Sequence, residues 1–284
     1  MMPFPTAARI GERRAIASVI VKFLVALCLV LSSVSAGAPL EWTLESTATG
    51  EIPQPAPGDE QAPCLVGDID GDSIVDVIVA ERTQGPSVVV LFRRGDGWER
   101  AVIEDEPLVI EAGGALADID GDGDLDVCIG ADTPSNEVWW WENPGAQPYP
   151  SSGWTRRLIK DDGADRHHDL AFGDFDADGD VELAFWNQFA GGVLYLAEIP
   201  SDPTSAGTWP RTQIFDGPDD SEGLDTADVD GDGTIDLVGA GFWFEYAGGT
   251  DFIAHTIASG RSYTRTKVGQ LVPGGRPEVV IVPG

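Results

Sequence analysis

Residues 118–126 read Asp-Ile-Asp-Gly-Asp-Gly-Asp-Leu-Asp, and this nine-residue stretch decides the fold because the chain repeats it. Three further copies occupy residues 68–76, 174–182 and 228–236, so that successive copies start 50, 56 and 54 residues apart. A second pattern alternates with the first and consists of an aromatic residue followed five positions later by isoleucine. It appears as Trp98/Ile103, Trp154/Ile159, Trp209/Ile214 and Phe252/Ile257. The sequence is therefore built from a unit of about 50 residues.

Each unit contains short apolar segments that Gly, Asp, Asn and Pro residues separate. Segments of about four to seven residues between such turns are typical of antiparallel strands. With four segments to a unit, we predict an all-β fold, a β-propeller of four-stranded antiparallel blades. Four complete blades are expected at about residues 63–104, 113–160, 169–215 and 223–258.

A fifth unit begins at about residue 268 and is incomplete. Gln270, Val272 and Gly274 stand where the other copies carry aspartate, and only Glu278 keeps its acid. The first two strands of a blade can be recognised, whereas a third cannot. We therefore expect an incomplete fifth blade whose loop binds no ion.

The segment that begins at Trp42 resembles a fourth strand without a blade of its own, although Thr47 replaces the isoleucine. Two alternatives follow from it. Residues 40–47 could complete a small five-bladed ring, or the chain could be a fragment of a larger ring. We favour the fragment because a three-stranded closing blade leaves a poorly covered edge.

Composition narrows the range of partners. The 284 residues include 48 acidic and 17 basic side chains, which give a formal net charge of −31. A chain this acidic is repelled by the phosphates of nucleic acids and by anionic membrane surfaces. The hydrophobic fraction of 42%, with 9 Trp and 11 Phe, is high enough for a substantial core and argues against disorder.

Residues 1–36 are expected to be a secretory signal peptide. Four basic residues precede or enter an apolar stretch at residues 23–31, and small residues then lead to Ala36. A membrane anchor is the alternative, although the apolar stretch is shorter than a bilayer span. The propeller would then occupy residues 37–284 of a secreted or cell-surface protein with no further membrane span. Two cysteines, Cys64 and Cys128, stay in this mature chain, and the sequence leaves open whether they pair.

The acidic stretches are predicted to bind calcium. In the pattern Asp-x-Asp-x-Asp-x-x-x-Asp, a tight turn brings the acids at positions 1, 3 and 5 to one centre, and the acid at position 9 can complete the shell. A set of hard oxygen ligands suits Ca²⁺. An EF-hand opens with the same three acids, but its loop is about 12 residues long and lies between helices. The other alternative is a solvated acidic hairpin without a metal.

These loops, with the Gly-Ala pairs at residues 130–131 and 239–240, resemble the FG-GAP/VCBS repeats of bacterial exported proteins and the calcium-binding blades of integrin α-chain propellers. The resemblance covers about residues 40–284. It implies four calcium sites, and it implies calcium ligation by Asp68, Asp70, Asp72 and Asp76; Asp118, Asp120, Asp122 and Asp126; Asp174, Asp176, Asp178 and Glu182; and Asp228, Asp230, Asp232 and Asp236.

A partner is expected at the face of the propeller opposite the acidic loops, where the first strands begin. Loops from several blades converge at that face, and loops of this kind often carry binding residues. The polar residues that the sequence places there are Glu111, Arg166, His167, His168 and Glu222. Residues that merely cap strand starts are the alternative explanation of the two histidines.

Two classes of function follow. The leading hypothesis is an exported calcium-binding propeller that acts as a non-catalytic binding or adhesion module for a protein or a polysaccharide. The alternative is a carbohydrate-active enzyme, similar to propeller-type polysaccharide lyases, which would use His167 or His168 as a base with Arg166. The run Trp139-Trp140-Trp141 could stack on sugars, but core packing is the favoured interpretation.

Overall fold

The computed structural model describes residues 42–145 and 153–283. The predicted signal peptide therefore lies outside the described residues. The chain divides into two compact units, Met1–Pro53 and Gln54–Gly284. In the described part of the first unit, residues 42–46 adopt no strand and residues 47–50 form a turn.

The second unit contains eighteen β-strands and a single 3₁₀ turn at Gln188–Ala190 among the described residues. The strands are β1 Gln61–Gly67, β2 Asp76–Glu81, β3 Val88–Arg94, β4 Gly97–Glu104, β5 Ile110–Ala117, β6 Asp126–Ala131, β7 Val138–Glu142, β8 Thr155–Lys160, β9 His167–Gly173, β10 Glu182–Asn187, β11 Val193–Glu198, β12 Arg211–Asp216, β13 Leu224–Ala227, β14 Asp236–Gly239, β15 Phe242–Gly248, β16 Asp251–Thr256, β17 Thr264–Gly269 and β18 Glu278–Pro283.

These strands form five antiparallel sheets, and each sheet follows chain order. Four sheets have four strands (β1–β4, β5–β8, β9–β12 and β13–β16), and the last pairs β17 with β18. The first strands of successive sheets lie side by side, from β1 through β5, β9 and β13 to β17. Inner strands of propeller blades have this arrangement. The prediction of an all-β fold with four complete four-stranded blades and an incomplete fifth is confirmed.

Strand alternation explains how the blades are held together. Successive side chains of a strand point to opposite faces, so each blade buries one apolar set against the blade before it and another against the blade after it. Trp139 and Trp141 on β7 lie in the core between the first and second blades, whereas Trp140 lies in the core between the second and third. All three tryptophans are at most 5% exposed. The interpretation of this run as core packing is therefore confirmed.

The closing strand of the five-bladed alternative is not found in the part of the chain that the structure describes. That alternative needs a strand at residues 40–47, and residues 42–47 are not in a strand. Residues 40 and 41 lie outside the described residues. The described strands of the last sheet are β17 and β18 alone.

Two cysteines lie in the described residues, Cys64 exposed on β1 and Cys128 buried on β6 of the next blade, and both are free. Within the described residues, the structure has no helix with the length and apolarity that a membrane crossing requires.

Candidate metal centres

Each acidic stretch forms the loop between the first and second strands of a blade, and the acid at position 9 anchors the loop. Its carboxylate accepts a hydrogen bond from the backbone N–H at position 2. The four bonds are Ile69 to Asp76 at 3.0 Å, Ile119 to Asp126 at 2.9 Å, Phe175 to Glu182 at 2.9 Å and Val229 to Asp236 at 2.8 Å. This acid begins the second strand and is buried in every loop.

The remaining acids curl the backbone of each loop inward. In the second loop, Asp118 Oδ2 accepts from Gly123 N at 3.1 Å, and Asp120 Oδ1 accepts from Asp122 N at 3.2 Å. The turn requires left-handed backbone at positions 4 and 6, where Gly121 has φ 77° and Gly123 has φ 100°. Glycine adopts such angles without the steric cost that a Cβ atom brings.

The curled loops bring carboxylates together. In each loop, three acids place oxygens within 4.8 Å of one another. The four sets are Asp68, Asp70 and Asp76; Asp118, Asp120 and Asp122; Asp174, Asp176 and Glu182; and Asp228, Asp230 and Asp236. The fourth predicted ligand of each loop (Asp72, Asp126, Asp178 and Asp232) lies outside these sets. Three of the four predicted residues in every loop therefore converge.

Several oxygens at these centres are buried without a hydrogen-bond partner. They include Asp68 Oδ1, Asp174 Oδ1 and Glu182 Oε1. Glu182 is 0% exposed, so its free oxygen has no access to bulk water. A buried carboxylate oxygen without a partner is costly, and a cation at the centre would remove that cost.

Burial and the crowding of negative charge disfavour the ionised state of the carboxylates at position 9. Burial, and after it the neighbouring carboxylates, raises the pKa of Asp76 to about 6, of Asp236 to about 6 and of Glu182 to about 7. Burial also raises the pKa of Asp126 to about 7. Burial of these carboxylates, together with the neighbouring acids, thus moves their titration towards neutrality.

The donor set fits a hard divalent cation. All converging side chains are carboxylates, and the described loops contain no His or Cys, which zinc and copper prefer. Oxygen-only sets suit Ca²⁺, which accepts irregular shells of about six to eight ligands, better than Mg²⁺, which demands an octahedron. A cation held by these residues would compensate their negative charge and would fix the turn.

The fifth loop has lost this character. Glu278 still accepts the position-2 N–H of Leu271 at 2.8 Å, so the backbone anchor is kept. The amide of Gln270 donates to the carbonyls of Val272 and Gly274 across the loop. A neutral side chain thus holds a turn that carboxylates line in the other blades.

Sequence and structure together define a β-repeat protein with an acidic loop in each complete blade. The family model for the FG-GAP-like repeat matches residues 68–129 and 118–185, so the chain carries FG-GAP-like repeats. Each match begins at one acidic loop and ends in the strand that follows the next acidic loop. A search of curated proteins found no match.

Among solved structures, the chain is similar to the V. cholerae biofilm matrix protein Bap1, with 16% identity and a TM-score of 0.49. The alignment covers 81% of this chain and 36% of that chain. The chain thus spans about a third of the length of that protein.

The predicted ligand-face residues lie at the opposite ends of the inner strands, and four of them meet in one polar network. His168 Nε2 lies 3.7 Å from Glu111 Oε1 and 3.5 Å from Glu222 Oε1. Arg166 Nε lies 3.2 Å from Glu111 Oε2. His168 Nδ1 lies 2.7 Å from Asp169 Oδ2. The histidine is therefore held between carboxylates of three blades.

Two arginines extend this network to the outer blades. Arg82 of the first blade contacts Glu111 at 2.5 Å, and Arg265 of the fifth blade contacts Glu222. We call Arg82, Glu111, His168, Glu222 and Arg265 the inter-blade ion chain, because each blade contributes one member. Glu111, His168 and Glu222 are at most 2% exposed, so this chain ties the blades together at the end opposite the loops.

His167 does not join the inter-blade ion chain. It is 0% exposed and packs edge-on against Phe185, and its Nδ1 lies 3.3 Å from the carbonyl of Ala131. Burial lowers the pKa of His167 to about 3, so the ring is neutral at physiological pH. Both histidines of the lyase alternative are thus buried.

Two contacts near these sites were not predicted from the sequence. Arg265 lies five residues before Gln270, the first position of the fifth loop, and Glu222 lies six residues before Asp228, the first position of the fourth loop. An alignment of the fifth blade with the fourth would therefore have placed Arg265 and Glu222 at the same end of the strands. Arg94, which contacts the first acidic loop, ends a third strand, and its role depends on contacts across the blade that spacing does not reveal.

Proposed function

We propose that this protein is an exported calcium-binding module that adheres to a protein or polysaccharide without catalysis. The observation that carries the proposal is the convergence of three carboxylates in each of four loops, with the free buried oxygen of Glu182 in the third. Calcium at these centres would hold the turns that connect first and second strands. The strand ends on both sides would then present a rigid binding surface.

Calcium would have two effects. It would compensate the repulsion among the 18 acids that the four loops contain. It would also stabilise the folded state, because it binds that state and not the unfolded chain. Extracellular modules commonly bind calcium with dissociation constants of about 10⁻⁴ to 10⁻³ M, which suits a location outside the cell.

The inter-blade ion chain supports binding over catalysis. A general base must reach a substrate proton, and the two histidines that a lyase would use are buried in the blades. Adhesion requires instead a fixed array of exposed loops. The chain's acidity favours partners that are neutral, or that carry basic groups or bound calcium.

Equilibrium dialysis with calcium tests the metal part of the proposal. We expect about four ions per chain, three when Asp228 and Asp230 are both changed to Asn, and an unchanged number in the matched control Gln270→Ala. A count that none of these changes alters would overturn the proposal.

A panel of immobilised neutral and acidic polysaccharides and of extracellular proteins tests the adhesion part. We expect calcium-dependent retention of at least one class without formation of the unsaturated sugar that a lyase releases. Appearance of that product, lost in His168→Gln, would establish the enzyme alternative instead.

A further inference from the structure

Arg94 distinguishes the first acidic loop from the other three. It is the last residue of β3, and its guanidinium reaches into the loop of its own blade. Arg94 Nη2 lies 2.5 Å from Asp70 Oδ2, and Nη1 lies 3.3 Å from Asp72 Oδ2. The Asp70 side chain is only 1% exposed. A cationic side chain therefore binds Asp70, a member of the converging set, and Asp72, the fourth predicted ligand of the loop.

The other blades have no cationic residue at this position. Strand registers pair Val77 with Leu91, Val127 with Trp141, Leu183 with Ala197 and Leu237 with Phe244. Three residues beyond the third-strand member of each pair, the first blade carries Arg94 and the others carry Pro144, Pro200 and Ala247. None of these three side chains bears a charge, so at this position the first of the four complete blades alone carries a guanidinium.

We propose that Arg94 is a built-in competitor for calcium at the first loop, so that this loop fills at higher calcium concentration than the loops at Asp118, Asp174 and Asp228. The inference rests on the proposed calcium binding. A bound guanidinium and a metal ion cannot use the same oxygen of Asp70 without close repulsion between two cations. Calcium must displace the guanidinium there, whereas among the residues that the structure describes no arginine or lysine pairs with the carboxylates of the other three loops.

The structure also offers the displaced guanidinium a second partner. Arg94 Nε already lies 3.3 Å from Glu99 Oε2 on β4, and the Glu99 side chain is 64% exposed. The guanidinium further stacks over Phe92 at 4.8 Å. Rotation towards Glu99 would keep both contacts while it frees the loop. The first blade would thus exchange an internal ion pair for a metal, and would keep its turn when calcium is scarce.

Calcium titration of wild type and Arg94→Gln by isothermal calorimetry tests the inference. For wild type we expect three ions in one affinity class and one that binds about tenfold more weakly. In Arg94→Gln the weak class should merge with the strong one. The control Arg93→Gln changes the preceding arginine, which stacks on Trp98, and should leave both classes as they are. Asp68→Asn with Asp70→Asn should remove the weak class alone.

A second readout uses the metal-free protein. In excess chelator, Arg94→Gln should melt at lower temperature than Arg93→Gln, because the first loop has lost its internal cation. If Arg94→Gln fails to fold, Arg94→Lys provides the test, since its point charge should give a weak class between those of wild type and the merged state.

The outcomes separate this inference from the proposed function. Four equivalent ions in wild type, or titrations of Arg94→Gln that match those of wild type, would overturn the role of Arg94 and leave calcium binding intact. Absence of calcium binding in every variant would overturn both.

Discussion

At the scale of single residues, the acid at position 9 has a structural role that does not depend on metal. Asp126 Oδ2 accepts from Ile119 N at 2.9 Å, and its Oδ1 accepts from Asn143 N at 2.8 Å. One carboxylate thus joins the loop, the second strand and the end of the third strand. An amide can replace only one of these two acceptors.

Asp126→Asn is therefore expected to lower the free energy of unfolding by about 1 to 3 kcal/mol even in chelator, since a buried N–H loses its acceptor. Urea unfolding at pH 8, where the carboxylate is ionised, measures the loss. Asp122→Asn is the matched control in the same loop, because its amide oxygen can still accept from Asp124 N. Equal stability of the two variants in chelator would contradict the assigned role.

A second residue-scale prediction concerns pH. The pKa of His167 is lowered to about 3 in the folded state, against about 6.5 in the unfolded chain. The folded value lies below the unfolded one, so the stabilisation is complete above about pH 6.5 and is lost as the pH falls towards 3. Between pH 6.5 and 5 it should shrink by about 2 kcal/mol, at about 1.4 kcal/mol per pH unit.

His167→Gln should abolish this share of the acid sensitivity. Urea unfolding at pH 7 and pH 5 in saturating calcium would show a smaller loss for the variant than for wild type. His255→Gln, in which a partly exposed histidine that pairs with Glu245 is changed, serves as the comparison variant. Parallel losses in wild type and His167→Gln would show that the ring is not held neutral.

At the scale of elements, Asn143 joins two neighbouring blades next to their acidic loops. Its Nδ2 donates to the carbonyl of Ile69 in the first loop and to that of Leu125 in the second, each at 3.0 Å. Both contacts are buried or partly buried. The Asn143 side chain therefore links the first and second loops by hydrogen bonds.

Asn143→Ala is expected to lower the free energy of unfolding by about 2 to 4 kcal/mol, because two carbonyls lose their donors. Asn136→Ala, which removes a surface contact of 3.5 Å, should change it by less than about 0.5 kcal/mol. Urea unfolding of both variants in calcium makes the comparison. A loss below that of Asn136→Ala would show that the blades are held by their apolar cores alone.

The elements also show how much of the fold and of the acidic sites could be predicted from the sequence. The spacing of the acidic stretches fixed each blade to within a few residues, because apolar alternation and turn residues agreed with the repeat. Convergence of the acids at positions 1 and 3 followed from the turn. The choice between positions 5 and 9 as the third member of each set could not be predicted. Position 5 joins the set in the second loop and position 9 in the other three, although the same backbone hydrogen bond holds position 9 in all four loops.

Contacts between blades were harder to predict from the sequence than the blades themselves. The sequence placed Glu111, His168 and Glu222 at one end of the strands but could not pair them, because residues more than 50 positions apart meet only through blade packing. The adjacent histidines show the same limit. Strand alternation sends His167 into the core and His168 into the inter-blade ion chain, although the two looked equivalent in the sequence.

At the scale of the whole molecule, the main feature is the excess of negative charge. Without residues 1–36 the chain carries 47 acidic and 13 basic residues, a net charge of −34. The inter-blade ion chain balances its own charges at one end of the strands. The opposite ends concentrate the carboxylates of the four loops, of which those of the first loop are paired with Arg94. Repulsion among these carboxylates should therefore destabilise the folded state until cations bind.

Thermal unfolding followed by calorimetry, in excess calcium and in excess chelator, tests the central claim most directly. At a free calcium concentration of about 100 times the dissociation constant, each filled site adds about 2.7 kcal/mol. For a chain of this size each kcal/mol raises Tm by about 2 to 4 °C. Chelation should therefore lower Tm by more than about 10 °C, whereas the same Tm in calcium and in chelator would contradict the claim.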